Sequence, residues 1–251
     1  MTLLTLARDL QRRKARERQG LFVAEGVRSV EELLRSPISV RGALVTPQLA
    51  ESSRGQALVD QLNRRGILTE AVGVDEFGSA AETESPQGIL AIGVVPKPVL
   101  ADLAVPETLR LLVLDAIQDP GNAGTIVRTA AALGATATFS LPGTVDLWNA
   151  KVVRSGMGAH FHHPCLNGTW DDLESFRREH SVVVWAADAS GESIEALAPP
   201  SRLALVVGNE GGGLSSLSRT RADRLVALPI TASTDSLNVA VAAGILLYEL
   251  R

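Results

Sequence analysis

The sequence predicts an α/β protein in two parts: a small N-terminal α/β domain, and a C-terminal α/β domain with a mostly parallel sheet. Three observations carry this. Short aliphatic runs alternate with stretches of helical length along the whole chain, the pattern of strand–helix–strand units. The alternation breaks once, at "PKPVLADLAVPETLR", whose three prolines suit neither helix nor strand. The 251 residues suffice for two cores without covalent staples.

The elements follow in order. "LFVAEGVRSVEELLRS" reads as a strand, a glycine turn and an amphipathic helix. "VRGALVT" is a strand and Pro47 to Arg65 is helical; "GILTEAVG" and "GILAIGVV" are strands closed by turn residues. Residues 1–96 therefore form one domain, 97–110 a linker and 111–251 a second domain. There the pattern restarts. "LRLLVLDAI" is a buried strand, Ala123–Leu133 a helix, "ATATFS" a strand and Asn149–Gly156 a helix. "AHFHHPC", "SVVVWAAD", "RLALVVG" and "DRLVALPI" are strands, and Ser236–Leu250 is the last helix. In both domains the alternation implies a mostly parallel sheet.

Composition narrows the function. One cysteine, Cys165, excludes an internal disulfide and suits a reducing, cytoplasmic setting. The N-terminus lacks the pattern of a secretory signal, and no apolar run reaches the roughly 18 residues of a membrane span. The formal net charge of −4 argues against an indiscriminate polyanion binder. Yet residues 1–20 carry Arg8, Arg12, Arg13, Lys14, Arg16 and Arg18 against Asp9 and Glu17. These make either a solvated helix face or a basic edge that meets a polyanion.

Two glycine turns invite a nucleotide reading and refuse it. "DPGNAGTIVR" and "VGNEGGGLS" have neither the dinucleotide spacing nor a P-loop lysine. Glu210 would repel a phosphate, so that loop suits a ligand that is neutral or cationic, or is simply a tight turn with an exposed glutamate. In the first stretch Asn122 stands where an N-cap belongs. Arg128 follows inside an otherwise apolar helix, where an isolated arginine ordinarily snorkels to water. The final helix is apolar around its circumference and must be covered all round, by its own sheet and by a second subunit. Capping accounts for Asp235 or Ser236 but not for Asn238 inside the helix. His160, His162, His163 and Cys165 cluster in sequence, but a strand would turn them to opposite faces, so no metal site is expected.

Taken in order, "PGNAGTIVRTAAALGA", "LALVVGNEGGGLS" and "LPITASTDSLNVAVAAGILLYE" resemble the three motifs of the SpoU (TrmH-like) family of RNA ribose 2′-O-methyltransferases, in the SPOUT superfamily. "LFVAEGVRSVEELL" and "SPQGILAIG" resemble its N-terminal substrate-binding domain, and "NAKVVRSGMGAHFHHP" the segment between its first two motifs. The resemblance covers nearly the whole chain. Met157 and Ile230 stand where the family commonly has alanine and methionine. The resemblance implies a C-terminal trefoil knot, bound S-adenosylmethionine, and a homodimer through the C-terminal domain. The implied substrate is RNA, with large-subunit (23S-type) rRNA favoured by the extra N-terminal domain. By resemblance, the backbone at Gly208, Leu228 and Leu237 lines the adenosine pocket, with "PITASTDS" as its cover. Asn122, Arg128, Glu210, Ser236 and Asn238 match the catalytic positions. On this reading Arg128 points into the site, gripping an RNA phosphate, and not out to water. The readings left beside it are a tRNA 2′-O-methyltransferase, a non-catalytic RNA-binding protein on the same fold, and a nucleotide-binding oxidoreductase.

Overall fold

The computed structural model describes residues 1–231 and 236–251. The chain divides into two compact units. One comprises Met1–Pro96 with Trp148–His162, the other Lys97–Leu147 with His163–Arg251.

The first unit opens with helix α1 (Leu3–Leu10), capped by Thr2, and α2 (Arg13–Gln19), stopped by Gly20 in the left-handed region at φ 63°. Strand β1 (Leu21–Glu25) and α3 (Val27–Arg35) follow, joined at Gly26, whose φ of 95° a side chain would resist. Then come β2 (Val40–Val45), a 3-10 turn, α4 (Ser53–Arg64), β3 (Thr69–Ala71), α5 (Val74–Gly78) and β4 (Ile89–Val94). The expected parallel sheet is corrected here. The strand order is β1-β4-β2-β3, and β4 runs antiparallel to both β1 and β2; only β2 and β3 are parallel. Hydrophobic periodicity sets which face a strand buries but carries no information on its direction. Leu6, Leu10, Leu44, Phe77 and Ile92 form the core.

The second unit holds β5 (Leu109–Asp115), α6 (Pro120–Ala132) and β6 (Ala137–Ser140). Helix α7 (Ala150–Ser155) groups with the first unit, where Trp148 lies on Phe22 with ring centroids 4.6 Å apart. The second unit resumes with β7 (Cys165–Asn167), α8 (Trp170–His180), β8 (Val183–Ser193), β9 (Arg202–Gly208), α9 (Ser216–Arg221), β10 (Arg224–Ala227) and α10 (Val239–Glu249). Its six strands, in the order β10-β8-β9-β5-β6-β7, are parallel throughout. Leu111 to Leu114 are fully buried because β5 is covered on both faces, which explains its unbroken apolar run. Parallel strands end on one edge. Asp115 and Gly208 are in register at the ends of β5 and β9, and Leu228 follows directly after β10. In open α/β sheets this carboxyl edge is where ligands bind.

Three expectations are revised. "AHFHHPC" is not a strand: Gly158 at φ 92° starts a 3-10 turn over Ala159–Phe161, and β7 begins only at Cys165, after Pro164. Helix α6 starts three residues early, with Asp119 as cap and Pro120 in the first turn, so Asn122 is inside the helix. Helix α10 starts three residues late, with Asn238 as its cap. Within the single chain one side of it is left open, where the expected second subunit would lie. Val241, Ile245 and Tyr248, one stripe at helical spacing, are 40–51 % exposed. The cap read at Asp235, and the middle of the segment "PITASTDS", lie outside the described residues. So does part of the path that the implied knot would follow.

Candidate active site

The site is built on the carboxyl edge of the second sheet by two loops and the starts of two helices. After β5 the backbone turns at Ala116, which adopts φ 57°, a left-handed conformation rare for a residue with a side chain. Asp119 then caps α6, its carboxylate accepting from Asn122 N at 2.7 Å. After β9 the chain makes a tight loop. Asn209 N donates to Gly213 O and Gly213 N to Asn209 O, both at 2.9 Å. Asn209 Oδ1 accepts from Gly211 N and Gly212 N, also at 2.9 Å. Buried Asp115 accepts from Ser215 N at 2.7 Å and fixes where the loop returns.

Glycine at 208 has an internal cause. A Cβ there would lie 2.4 Å from Gly213 C and 2.5 Å from Leu214 N, so the returning loop, and not a bound ligand, occupies the space a side chain would need.

Three of the five predicted catalytic side chains meet. Asn122 Nδ2 donates to Glu210 Oε1 at 2.7 Å, and Asn122 Oδ1 accepts from Asn238 Nδ2 at 3.0 Å. Asn238 Oδ1 meanwhile caps α10, accepting from Ala240 N at 2.9 Å. Each amide is thereby held in one orientation, because its oxygen and nitrogen have different partners. The chain Glu210–Asn122–Asn238 ties the loop after β9 to the first turns of α6 and α10. Ser236 and Leu237 are exposed just before α10. Among the described residues Ser236 makes no hydrogen bond.

Arg128 corrects the expectation placed on it. Its side chain is exposed, and no hydrogen-bond or ion-pair partner meets it among the described residues. Six residues along a helix turn the direction by about 240°, so Arg128 cannot share the face of Asn122. It lies instead on a shallow groove between α6 and α10, of about 390 Å³, with Thr129, Leu133, Ile245 and Tyr248. The two helices approach closely there: a Cβ on Gly244 would stand 3.2 Å from Thr129 Cγ2.

Among the described residues no three or more histidine, cysteine and carboxylate side chains are gathered as a metal ion would need. His163 is buried with Nε2 2.9 Å from Thr138 Oγ1, and burial pushes its pKa down to about 4. Burial pushes the Cys165 thiol up to about 12, so it is no nucleophile. The basic N-terminal edge is partly consumed. Arg16 is buried, donating to Leu10 O and Gln11 O, and Arg12 and Arg18 both pair with Asp9. Asp119, Asp115 and Asn209 are missing from the residues singled out by sequence. Only Asp119 had a clear signal, since aspartate before proline is a helix-start signature.

Residues 110–248 match the SpoU rRNA Methylase family, and residues 5–91 match the MRM3-like substrate binding domain. The chain belongs to the SpoU rRNA methylase family. Among SpoU relatives, it is 34% identical over 245 residues to the 23S rRNA (guanosine(2553)-2'-O)-methyltransferase RlmP of Bacillus subtilis, covering 97% of this chain and 94% of that one. The rRNA methyltransferase 3, mitochondrial, of Homo sapiens is 29% identical over 300 residues, with 94% and 69% covered. The AdoMet-bound rRNA methyltransferase from Sinorhizobium meliloti superposes with a TM-score of 0.87 at 28% identity, over 99% of this chain and 94% of that one. The SpoU methyltransferase AviRb from Streptomyces viridochromogenes, in complex with AdoMet, gives 0.87 at 28% identity over 100% and 97%.

Proposed function

We propose that this chain transfers the methyl group of S-adenosylmethionine to a ribose 2′-hydroxyl of large-subunit ribosomal RNA, as a homodimer. The observation that carries the reading is the Glu210–Asn122–Asn238 chain, beyond the ends of β5 and β9. The relatives support the substrate, since RlmP of Bacillus subtilis is a 23S rRNA 2′-O-methyltransferase by name. The same reading sets the protein in the cytoplasm. Among the described residues no helix is long and apolar enough to cross a membrane.

The residues present fit the cofactor. The loop from Gly208 to Leu214 carries one exposed carboxylate, Glu210, and no lysine or arginine. A sulfonium is tolerated beside that charge where a pyrophosphate would be repelled. Backbone at Gly208, Leu228 and Leu237 would hold the adenosine. The cofactor supplies a methyl carbon already activated by its positive sulfur. What remains for the protein is to hold the 2′-oxygen in line with that carbon. Ser236 and Asn238 would hydrogen-bond around the ribose, and Glu210 and Asn122 would fix the loops. Arg128 is suited to grip an RNA phosphate with its planar fork of donors. It is not suited to take the hydroxyl proton, because a guanidinium has no lone pair. The phosphate or a water takes the proton instead.

The exposed stripe on α10 supports the dimer. Apolar side chains at that spacing, continuous with the groove that holds Arg128, make a surface a second copy could cover. RNA contact in the first unit would fall on Arg13 and Lys14 of α2, which are exposed.

The test offers the purified protein tritiated S-adenosylmethionine with 23S rRNA, 16S rRNA and tRNA, and maps the product by resistance of the adjoining phosphodiester to alkali. Label in 23S rRNA at an alkali-resistant position is expected. Label confined to tRNA would overturn the substrate, and cofactor binding without transfer to any RNA would leave a non-catalytic binding protein.

A further inference from the structure

We infer that Asn209 is a positioning residue, whose side chain latches the loop after β9 to the turn after β5 and so sets Glu210 against Asn122. The inference rests on the reading that Glu210 and Asn122 belong to the catalytic set. Asn209 is half-buried, and both ends of its amide are engaged. Oδ1 accepts from Gly211 N and Gly212 N at 2.9 Å, while Nδ2 donates to Ala116 O at 2.8 Å. With the oxygen committed to its own loop, the nitrogen must face the other one.

The carbonyl it holds belongs to the strained residue. Ala116 sits at φ 57°, and such a conformation persists only when its surroundings enforce it. Gly143 leaves room for it and Asn209 holds it. A Cβ on Gly143 would stand 3.1 Å from Ala116 Cβ, so only glycine leaves room on that side, and the Asn209 amide holds the carbonyl on the other. The path from Ala116 to Asn122 is short and stiff, through buried Ile117 and the Asp119 cap. Asn209 and Glu210 are adjacent, inside a loop closed by paired backbone bonds. The two loops are therefore joined by two rungs, Asn209–Ala116 within and Glu210–Asn122 without.

The outer rung is exposed and competes with water, so it cannot order the loops by itself. The inner rung ends on backbone in a partly buried setting and supplies that order.

The test is a double-mutant cycle of Asn209→Asp with Glu210→Ala, which removes the acceptor that meets Asn122. Aspartate keeps the size of the side chain and its bonds to the glycine amides, but sets a carboxylate oxygen against the Ala116 carbonyl. Asn209→Asp should lower kcat about tenfold to a hundredfold, leave KM for S-adenosylmethionine within about threefold, and keep the melting temperature within a few degrees. Combined with Glu210→Ala it should cost no more than Glu210→Ala alone, since both changes break one unit. Additive losses, or Asn209→Asp with kcat within about twofold of the unaltered protein, would refute the latch. A fully active Glu210→Ala would refute the assignment of Glu210, and with it the route from Asn209. If Asn209→Asp does not fold, Asn209→Ser, too short to reach Ala116 O, takes its place. Failure of both to fold would make Asn209 a folding determinant and overturn the positioning role.

Discussion

Asn122 and Glu210 stand 88 positions apart in sequence and 2.7 Å apart in space. The contact is exposed, so its worth in stability is small. Its value is in register, since the same amide holds Asn238 at the head of α10. Asn122→Ala should change stability by less than about 1 kcal/mol. Methyl transfer should slow about a hundredfold, because misplacement of the reacting groups is costly. Single-turnover transfer beside a thermal melt checks this. A fall in melting temperature that accounts for the whole loss of activity would refute it.

Among the described residues Arg128 makes no hydrogen bond or ion pair. Arg128→Ala and Arg128→Lys should both abolish turnover while calorimetry shows S-adenosylmethionine affinity within about threefold, lysine failing because it lacks the bidentate fork. Equal loss of turnover and cofactor binding would show that residue 128 serves the cofactor and not the RNA.

The α10 stripe gives a test of the dimer. Ile245→Asp or Tyr248→Asp places a charge on a surface that needs to be apolar only if a second copy covers it. Light scattering after gel filtration should show a dimer for the unaltered chain and a monomer for either variant. Transfer should be lost with the dimer. A monomeric parent with full activity would sink the proposal.

Buried His163 couples stability to pH. Burial disfavours the imidazolium and pushes its folded-state pKa down to about 4, from an ordinary value of about 6.5. The unfolded chain therefore binds more protons between those values, and stability rises with pH across that window. The contribution is complete above about pH 6.5 and is lost as pH falls towards 4. The slope is at most about 1.4 kcal/mol per pH unit. Urea melts at pH 5 and pH 7 should show a smaller difference for His163→Asn than for the parent. An unchanged difference would mean that other groups dominate.

Much of the second unit was legible. The apolar runs of β5 and β9 announce buried parallel strands, and "NEGGG" announces a tight loop. What was misread has identifiable causes. The alternation in "AHFHHPC" resembles a strand, but Gly158 and Pro164 break it at both ends. Trp170, Leu173 and Phe176 carry a helical period through α8, which its charged residues obscure. Asn238, expected inside the last helix, is its cap, where asparagine, a poor helix former, is favoured. The direction of Arg128 was available from helical geometry alone, since six residues are not a whole number of turns. The latch at Asn209 was not legible: it depends on a backbone carbonyl 93 positions away, and a carbonyl carries no sequence.

The grouping of residues 148–162 with the first unit has a consequence for synthesis on the ribosome. Ala150 fills the same core as Leu6 and Phe77, and Trp148 and Phe161 both lie on Phe22. A nascent chain that has just finished β4 holds a sheet with one flank unfilled. It must wait until β5, α6 and β6 have been made before the missing helix arrives. The N-terminal half is thus completed last in part, and a gene cut at residue 96 would yield a polypeptide with bare apolar surface where Trp148 belongs.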